Sequence, residues 1–324
     1  MTTRLTVLAT GGTIAGIAGD AIAADYRAGE IGIEDYLERV GALGLGAELS
    51  GRQIANIDSQ DMGPQVWNAL HPAIAAALAD ERCAGVIVTH GTDTLEETAF
   101  LLDLTLPSTK PVVVVGAMRP ADAVGYDGLR NFANAVRVAC DPQAAGRGVL
   151  VVMGDRVFAA RDVRKVRTRG AEAFRGFPRE SIGLVTPAKL EWFGAPWNRD
   201  VARFAWRDDL PEVVIVYAHA ALCETVVARA IGPQTRGVVV AGVGEGNMPQ
   251  PVRQHLAHIA AQGTPVVRAS RTEEGLVDRE QEDDANGFVA ARALNPQKAR
   301  ILLQLLLASG ETDPAALQRS FDGR

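Results

Sequence analysis

The chain has 324 residues, enough for two α/β units that each bury a core of their own. Hydrophobic residues make up 47% and charged residues 22%, which is typical of a soluble globular protein and unlike a disordered chain. The 33 basic and 39 acidic residues give a formal net charge of −6, which argues against binding nucleic acid mainly through its phosphates.

The three cysteines, Cys83, Cys140 and Cys223, show no CxxC spacing, so neither a disulfide framework nor a zinc site is predicted. The first strand-like run begins almost at Met1 and leaves no room for a signal peptide. The longest apolar runs are shorter than ten residues, whereas a membrane span needs about 20. We therefore expect a cytoplasmic protein without a membrane partner.

Short runs rich in Val and Ile recur along the chain without polar alternation, as expected for strands buried on both faces. They lie at 5–10, 85–90, 111–117, 148–154, 212–218, 237–243 and 264–270. Helical spacing is found at 64–80, 95–105, 128–140, 221–231, 249–262 and 296–307. This alternation predicts an α/β fold with a larger N-terminal parallel or mixed sheet flanked by helices and a smaller C-terminal parallel domain.

Residues 155–211 interrupt the alternation with a basic stretch, four prolines and a group of aromatic residues. We predict an N-terminal catalytic domain over residues 1–190, a linker over 191–211 and a C-terminal α/β domain over 212–324. Sites in open parallel sheets lie beyond the carboxyl ends of the strands, where the polar motifs of this chain fall.

The glycine-rich stretch "LATGGTIAG" at residues 8–16 follows the first strand. It matches neither the dinucleotide fingerprint nor the phosphate-binding loop, because the glycine spacing differs and no lysine follows. What remains is the hydroxyl of Thr13, held by two glycines at the end of a strand. It is either a nucleophile, if a neighbouring group removes its proton, or the cap of a helix.

The stretch "VTHGTDTLEETAF" at residues 88–100 contains Thr94 and, three residues later, Glu97. This spacing predicts a capping box at the start of a helix, with Asp93 as a second capping candidate. The first N–H groups of such a helix favour a bound carboxylate or a developing oxyanion near Thr92. The alternative is that these residues only end the helix while His90 fills space at the strand end.

Three further stretches carry candidate residues in mostly hydrated surroundings. Lys165 lies in "DRVFAARDVRKVRTRG" and would act as a base if it were drawn beside a hydroxyl in a dry cleft. "AGVGEGNMPQ" at 241–250 offers Asn247, and "REQEDDANGF" at 279–288 offers a run of acids. Both of these loops are equally consistent with plain solvated surface.

Together, these stretches resemble the bacterial L-asparaginase and glutaminase-asparaginase family of threonine amidohydrolases. The resemblance covers nearly the whole chain and rests on motifs in the order of that family. They are "ATGGTIAG", "NIDSQDM", "THGTDTLEETAF", "PVVVVGAMRP", "RGVLVVMGD", "RDVRKV", "AGVGEGNMP" and "LNPQKAR". The family hydrolyses L-asparagine to L-aspartate and ammonia through an ester on threonine, with L-glutamine as a possible secondary substrate.

The resemblance also implies a role for each matching residue. Thr13 resembles the nucleophile and Tyr26 its hydroxyl partner, while Thr92, Asp93 and Lys165 resemble the second catalytic group. The positions that resemble the substrate-binding residues are Gly12, Ser59, Gln60, Gly91 and Ala117. Which of Tyr26 and Lys165 accepts the first proton stays open.

The family resemblance further implies a homotetramer in which the second domain of a neighbour completes each site. Asn247 and an acid near residue 280 would be the visiting groups. Counting back from "LNPQKAR" selects Glu280, whereas aligning the acidic run points to Glu282, so both stay candidates. No metal or organic cofactor is implied.

The sequence leaves two alternatives open. One is an amino-acid-binding protein of the same fold that does not turn over its ligand. The presence of all five catalytic candidates together argues against it. The other is the glutaminase subunit of a tRNA amidotransferase, which would be expected to carry an additional N-terminal module.

Overall fold

The computed structural model describes residues 2–19, 27–107, 109–196 and 203–323. The chain divides into two compact units, Met1–Ala205 and Trp206–Arg324. The division falls within the predicted linker, and the domain limits given above stay a prediction. Among the described residues, no helix is both long and apolar enough to cross a bilayer.

The described part of the first unit contains ten strands and four α-helices. The strands are β1 (Thr3–Gly11), β2 (Ala47–Ile57), β3 (Gly85–Thr89), β4 (Val112–Val115), β5 (Val149–Met153), β6 (Arg156–Ala159), β7 (Val163–Lys165), β8 (Phe174–Gly176), β9 (Gly183–Val185) and β10 (Leu190–Trp192). The helices are α1 (Ile33–Gly41), α2 (Pro64–Ala79), α3 (Leu95–Thr105) and α4 (Gly128–Cys140).

Eight of these strands form one mixed sheet in the order β10-β9-β6-β5-β4-β3-β1-β2. The strands from β2 to β5 are parallel neighbours, and β6, β9 and β10 continue the sheet with antiparallel pairs. β7 and β8 form a separate antiparallel hairpin in which Lys165 pairs with Phe174.

Helices cover both faces of the parallel half of the sheet. Tyr36 of α1 and Phe132 of α4 pack edge to face on one side, with ring centroids 5.3 Å apart. Leu70 of α2 and Leu102 of α3 belong to the core on the other side. Because both faces are buried, β3 and β4 consist almost entirely of valine and isoleucine.

The second unit contains a smaller, fully parallel sheet in the order β11-β12-β13-β14. Its strands are β11 (Glu212–Tyr217), β12 (Thr235–Gly242), β13 (Val266–Ser270) and β14 (Phe288–Ala290). Its helices in the described residues are α5 (Glu224–Ala230), α6 (Gln250–Ala261), α7 (Gln281–Asn286), α8 (Pro296–Ala308) and α9 (Pro314–Phe321).

The predicted fold class is confirmed, and every predicted strand and helix is present with ends shifted by at most a few residues. The sequence missed β2, which is an edge strand with a largely exposed polar surface. It also missed the strands between 156 and 192, which have three or four residues each. All three cysteines are free: Cys83 is buried, Cys140 is partly buried and Cys223 is exposed.

Candidate active site

Four loops of the first unit leave the large sheet on the same side, at the carboxyl ends of its parallel strands. They follow β1, β2, β3 and β4, which are parallel, so the carboxyl ends of these strands lie together. The predicted site residues of this unit, apart from Tyr26 and Lys165, lie in these loops: Gly12 and Thr13, then Ser59 and Gln60, then Gly91, Thr92 and Asp93, then Ala117.

The loops after β1 and β3 touch through two glycines. A Cβ atom on Gly12 would lie 2.4 Å from the Cα atom of Gly91, and Gly12 has a φ of 81°, which favours glycine. A Cβ atom on Gly91 would lie 2.8 Å from the Cβ atom of Ser59. Since no side chain separates these backbones, Thr13 and Thr92 are carried on loops in direct contact.

Thr13 begins a single 3-10 turn, Thr13–Ala15, and its side chain is buried. The hydroxyl of Tyr126 donates to the carbonyl of Ile14 within this turn at 2.6 Å. Burial raises the pKa of Tyr126 to about 12, so this hydroxyl keeps its proton at neutral pH and remains a donor. The N–H of Gly12 donates to the carbonyl of Ile57 at 2.9 Å, which ties the turn to β2.

Lys165 reaches the second threonine from the β7–β8 hairpin. Its Nζ donates to Thr92 Oγ1 at 2.8 Å and to Asp93 Oδ1 at 2.5 Å. The lysine side chain is 12% exposed and that of Asp93 is 60% exposed. The Lys165 amino group therefore lies against a buried hydroxyl and beside a carboxylate that stays largely hydrated.

Ser59 links the loop after β2 to the start of α3. Its Oγ accepts the N–H of Asp93 at 3.0 Å, and its carbonyl accepts the hydroxyl of Thr94 at 2.7 Å. The helix begins at Leu95 with Thr94 as the N-cap residue, as predicted, but Thr94 makes no side-chain capping hydrogen bond. The predicted capping box is wrong, because the Thr94 hydroxyl donates its proton to the Ser59 segment instead.

Ala117 follows β4 and is fully buried. Asn131 Nδ2 donates to the carbonyl of Gly116 at 3.0 Å, and the carboxylate of Asp127 accepts the N–H of Met118 at 3.0 Å. A Cβ atom on Gly116 would lie 2.7 Å from the carbonyl oxygen of His90, so this loop packs tightly against the loop after β3.

His90, for which no function was predicted, is fully buried directly after β3. Its Nδ1 lies 2.7 Å from the carbonyl oxygen of Gly91, which can only accept, so Nδ1 carries the proton. Its Nε2 then accepts from Thr98 Oγ1 at 2.9 Å, and that hydroxyl accepts the indole N–H of Trp67 at 2.9 Å. Burial lowers the pKa of His90 to about 4, so the ring is neutral at pH 7.

The series of hydrogen bonds from Trp67 through Thr98 and His90 ends at the peptide group between Gly91 and Thr92. The neutral imidazole donates to the carbonyl of that peptide and thereby polarises its N–H, which belongs to Thr92. A signal for this role was present in the sequence, since Thr98 lies about one turn into α3, the helix that begins five residues after His90. The partner Trp67, on another helix, could not be placed from spacing.

The candidate residues of the second unit lie on two loops at the carboxyl side of β12 and β13. Asn247 is exposed, and its backbone pairs with Val243 through hydrogen bonds of 2.8 and 2.9 Å. Glu280 precedes α7 and is partly buried, with Oε2 3.7 Å from the guanidinium of Arg268. Glu282 is exposed and lies 3.3 Å from Arg253.

The contacts described above do not include two of the predicted site residues, Tyr26 and Gln60. Tyr26 lies outside the residues that the structure describes. Gln60 is exposed next to the buried Ser59. The structure therefore brings the loops of Thr13, Ser59, Thr92 and Ala117 together with Lys165, and the catalytic roles of these residues stay predictions. Among the described residues, no three His, Cys, Asp or Glu side chains cluster so as to hold a metal ion.

The fold and these loops define a two-unit α/β protein in which two buried threonines and a lysine lie at the carboxyl ends of the parallel strands of a mixed sheet. The chain belongs to the asparaginase family. The family model "Asparaginase, N-terminal" matches residues 4–198, and "Glutaminase/Asparaginase C-terminal domain" matches residues 212–321. The predicted family, and with it the class of enzyme, is confirmed.

Named relatives match over nearly the whole chain. L-asparaginase 2 of Escherichia coli K12 is 41% identical over 98% of this chain and 92% of its own length. A "Probable L-asparaginase periplasmic" of Haemophilus influenzae is 40% identical over the same shares. A crystal structure of a "Probable Cytoplasmic L-asparaginase" from Campylobacter jejuni matches with a TM-score of 0.92 and 38% identity, covering 98% of this chain and 99% of that one.

Proposed function

We propose that the protein hydrolyses L-asparagine to L-aspartate and ammonia, with Thr13 as the nucleophile and L-glutamine as a secondary substrate. The observation that carries this proposal is the bond from Lys165 Nζ to Thr92 Oγ1, on a loop in contact with the one that bears Thr13. The relatives named as L-asparaginases support the choice of substrate, and the description of the C-terminal family model supports glutamine as the second substrate.

In the first half of the reaction, Thr13 Oγ1 attacks the side-chain amide carbon and loses its proton. Tyr26 relays that proton at Thr13, and Lys165 in its uncharged amine form accepts a proton through the hydroxyl of Thr92. The amide nitrogen takes up a proton, the C–N bond breaks, and ammonia leaves an aspartyl ester on Thr13. Water then attacks the ester carbon, releases L-aspartate and returns the proton to Thr13.

The developing oxyanion needs N–H donors that are fixed before the reaction. The N–H of Gly12 already donates to Ile57, so it does not serve this purpose. We assign the N–H of Thr92 instead, because the His90 imidazole donates to the carbonyl of the same peptide. This assignment replaces a direct role of Gly12 with a packing role.

The free amino acid brings an ammonium and a carboxylate that must both be paired once water is excluded. Ser59 Oγ accepts from Asp93 N–H and keeps its own proton to donate to the carboxylate, near the N–H groups that begin α3. Asp93 and Gln60 would hold the ammonium. We further propose a homotetramer in which Asn247 and Glu280 or Glu282 of a neighbour complete this pocket, and Ala117 faces the leaving amide.

We keep the cytoplasm as the proposed location. The relatives named above include one called periplasmic and one called cytoplasmic, so the family alone is compatible with either compartment.

The test is ammonia release from L-asparagine, L-glutamine and D-asparagine by the wild-type protein and by Thr13→Ala and Thr92→Val. We expect both variants to fold and to lose several orders of magnitude in rate on L-asparagine. Thr6→Val is the matched control, because Thr6 lies on β1 and its hydroxyl contacts Cys83 rather than the site. Near-wild-type turnover by Thr13→Ala would disprove the assignment, and saturable asparagine binding without ammonia release would indicate a binding protein.

A further inference from the structure

Arg268 is a charged residue in the middle of β13, in a strand that is otherwise small or apolar, and it is completely buried. Its guanidinium binds the equally buried carboxylate of Asp283 through two bonds of 2.6 Å each. A paired charge of this kind is costly to desolvate and is weak evidence for stability by itself. Its remaining contacts indicate a second role.

The other N–H groups of Arg268 donate to two loop carbonyls. Nη1 donates to the carbonyl of Glu245 at 2.8 Å, two residues before Asn247. Nη2 donates to the carbonyl of Asp278 at 2.9 Å, two residues before Glu280. One planar side chain thus binds both segments that carry the proposed visiting groups.

Both segments are held tightly around this guanidinium. Asp283 Oδ2, which accepts from Arg268, also accepts the N–H of Glu280 at 2.9 Å. A Cβ atom on Gly246 would lie 3.2 Å from Arg268 Nη1, so the loop backbone passes directly over the guanidinium. The end of β13 adds another bond, because Ser270 Oγ donates to the carbonyl of Gly244 at 2.5 Å.

We propose that Arg268 is a positioning residue that fixes Asn247 and Glu280 relative to each other, so that both groups enter the neighbouring subunit's active site as one preorganised unit. This proposal rests on the proposed function, in which the site is shared between subunits. It selects Glu280 over Glu282, since Glu280 lies beside the Arg268 guanidinium and Glu282 lies beside Arg253 on α6.

Arginine suits this position because its five donors lie in one plane and reach a carboxylate and two carbonyls at once. Lysine would keep the charge beside Asp283 but could not keep this geometry. Arg268→Lys should therefore leave a folded protein whose substrate is held less well.

The first experiment measures kcat and KM for L-asparagine in Arg268→Lys. We expect KM to rise about tenfold, the effect of losing one to two charge-assisted hydrogen bonds, with kcat changed by less than about threefold. Arg253→Lys is the matched control, because Arg253 is almost as buried in the same unit and contacts Glu282. An unchanged KM in Arg268→Lys with a lowered melting temperature, or a raised KM only in Arg253→Lys, would overturn the proposal.

If Arg268→Lys does not fold, the double variant Arg268→Met with Asp283→Leu removes both buried charges together, a change that buried ion pairs often tolerate. It also removes the bonds to both loop carbonyls. We expect the same rise in KM, and a wild-type KM in the folded double variant would contradict the positioning role.

The second experiment mixes subunits. Co-expression of Thr13→Ala and Arg268→Lys subunits with different tags should produce about a quarter of sites with wild-type KM, because each mixed pair contains one site without either change. If this fraction is missing although a mixture of Thr13→Ala and Asn247→Ala subunits recovers activity, the positioning role of Arg268 is overturned and the shared site is not. Activity of Thr13→Ala by itself would instead overturn the proposed function.

Discussion

Two regions of the molecule are held in place by opposite means. The contact between the loops of Thr13 and Thr92 depends on glycines, at which no side chain keeps the backbones apart. The segments of Asn247 and Glu280 are joined by one large charged side chain, Arg268. We therefore expect the first region to be disturbed when a side chain is added at one of its glycines, and the second when the Arg268 side chain is shortened.

The largest expected effect tests the chemistry that the first region supports. Lys165→Met removes the amino group from the Thr92 hydroxyl, and we expect ammonia release from L-asparagine to fall about a thousandfold, the usual effect of losing a proton-transfer group. Lys110→Met is the control, because Lys110 lies at the surface of the same unit and donates to the backbone carbonyl of Asp80. Full activity in Lys165→Met would remove this lysine from the mechanism.

The next effect tests the glycine contact itself. Gly12→Ala would place a methyl group 2.4 Å from the Gly91 backbone at a positive φ, and we expect a loss of about 3 kcal/mol or more in unfolding free energy. Gly44→Ala has a φ of 61° with open space around it, so it should show only the backbone cost of about 1 kcal/mol. Urea unfolding compares the two, and equal losses would show that the close approach is unimportant.

A third prediction concerns the buried imidazole behind the Thr92 loop. The pKa of His90 is lowered to about 4 in the folded protein, below its unfolded value of 6.5, so its contribution to stability is complete above pH 6.5 and is lost as pH falls toward 4. Between pH 7.5 and 5 we expect wild type to lose about 2 kcal/mol that His90→Asn does not lose. The prediction is contradicted if the urea unfolding midpoints of wild type and His90→Asn change by the same amount across this pH range.

The smallest effect lies in the second region. Ser270→Ala removes one bond to the Asn247 loop but leaves Arg268 in place, so we expect about a threefold rise in KM and about 1 kcal/mol less stability. Ser309→Ala is the control, since the Ser309 hydroxyl binds a helix carbonyl of α8. A rise as large as that in Arg268→Lys would mean that the serine, rather than the arginine, holds the loop.

The sequence predicted those parts of the molecule that depend on local pattern. The valine runs of β3 and β4 have no polar alternation because helices cover both faces, and together with the alternation of strands and helices this indicated a parallel sheet. The glycine-rich loop of Thr13 and the start of α3 were recognisable because their signals also lie within a few consecutive residues. These features need no knowledge of residues far along the chain.

What the sequence could not supply are contacts between distant residues. Lys165 lies 73 positions beyond Thr92, and only the β7–β8 hairpin brings it to the hydroxyl. The bonds of His90 to Thr98 and of Thr98 to Trp67 join three elements of structure. Arg268 did leave a signal that went unused, because a charge inside an apolar strand requires a buried partner.

The thiols offer a practical consequence. Of the three cysteines only Cys223 is exposed, at the start of α5 in the second unit. A maleimide dye should therefore label each native chain at one defined point, without any engineered handle. Energy transfer between chains labelled with donor and acceptor fluorophores would then test whether chains assemble, as the proposed tetramer requires, and whether subunits exchange.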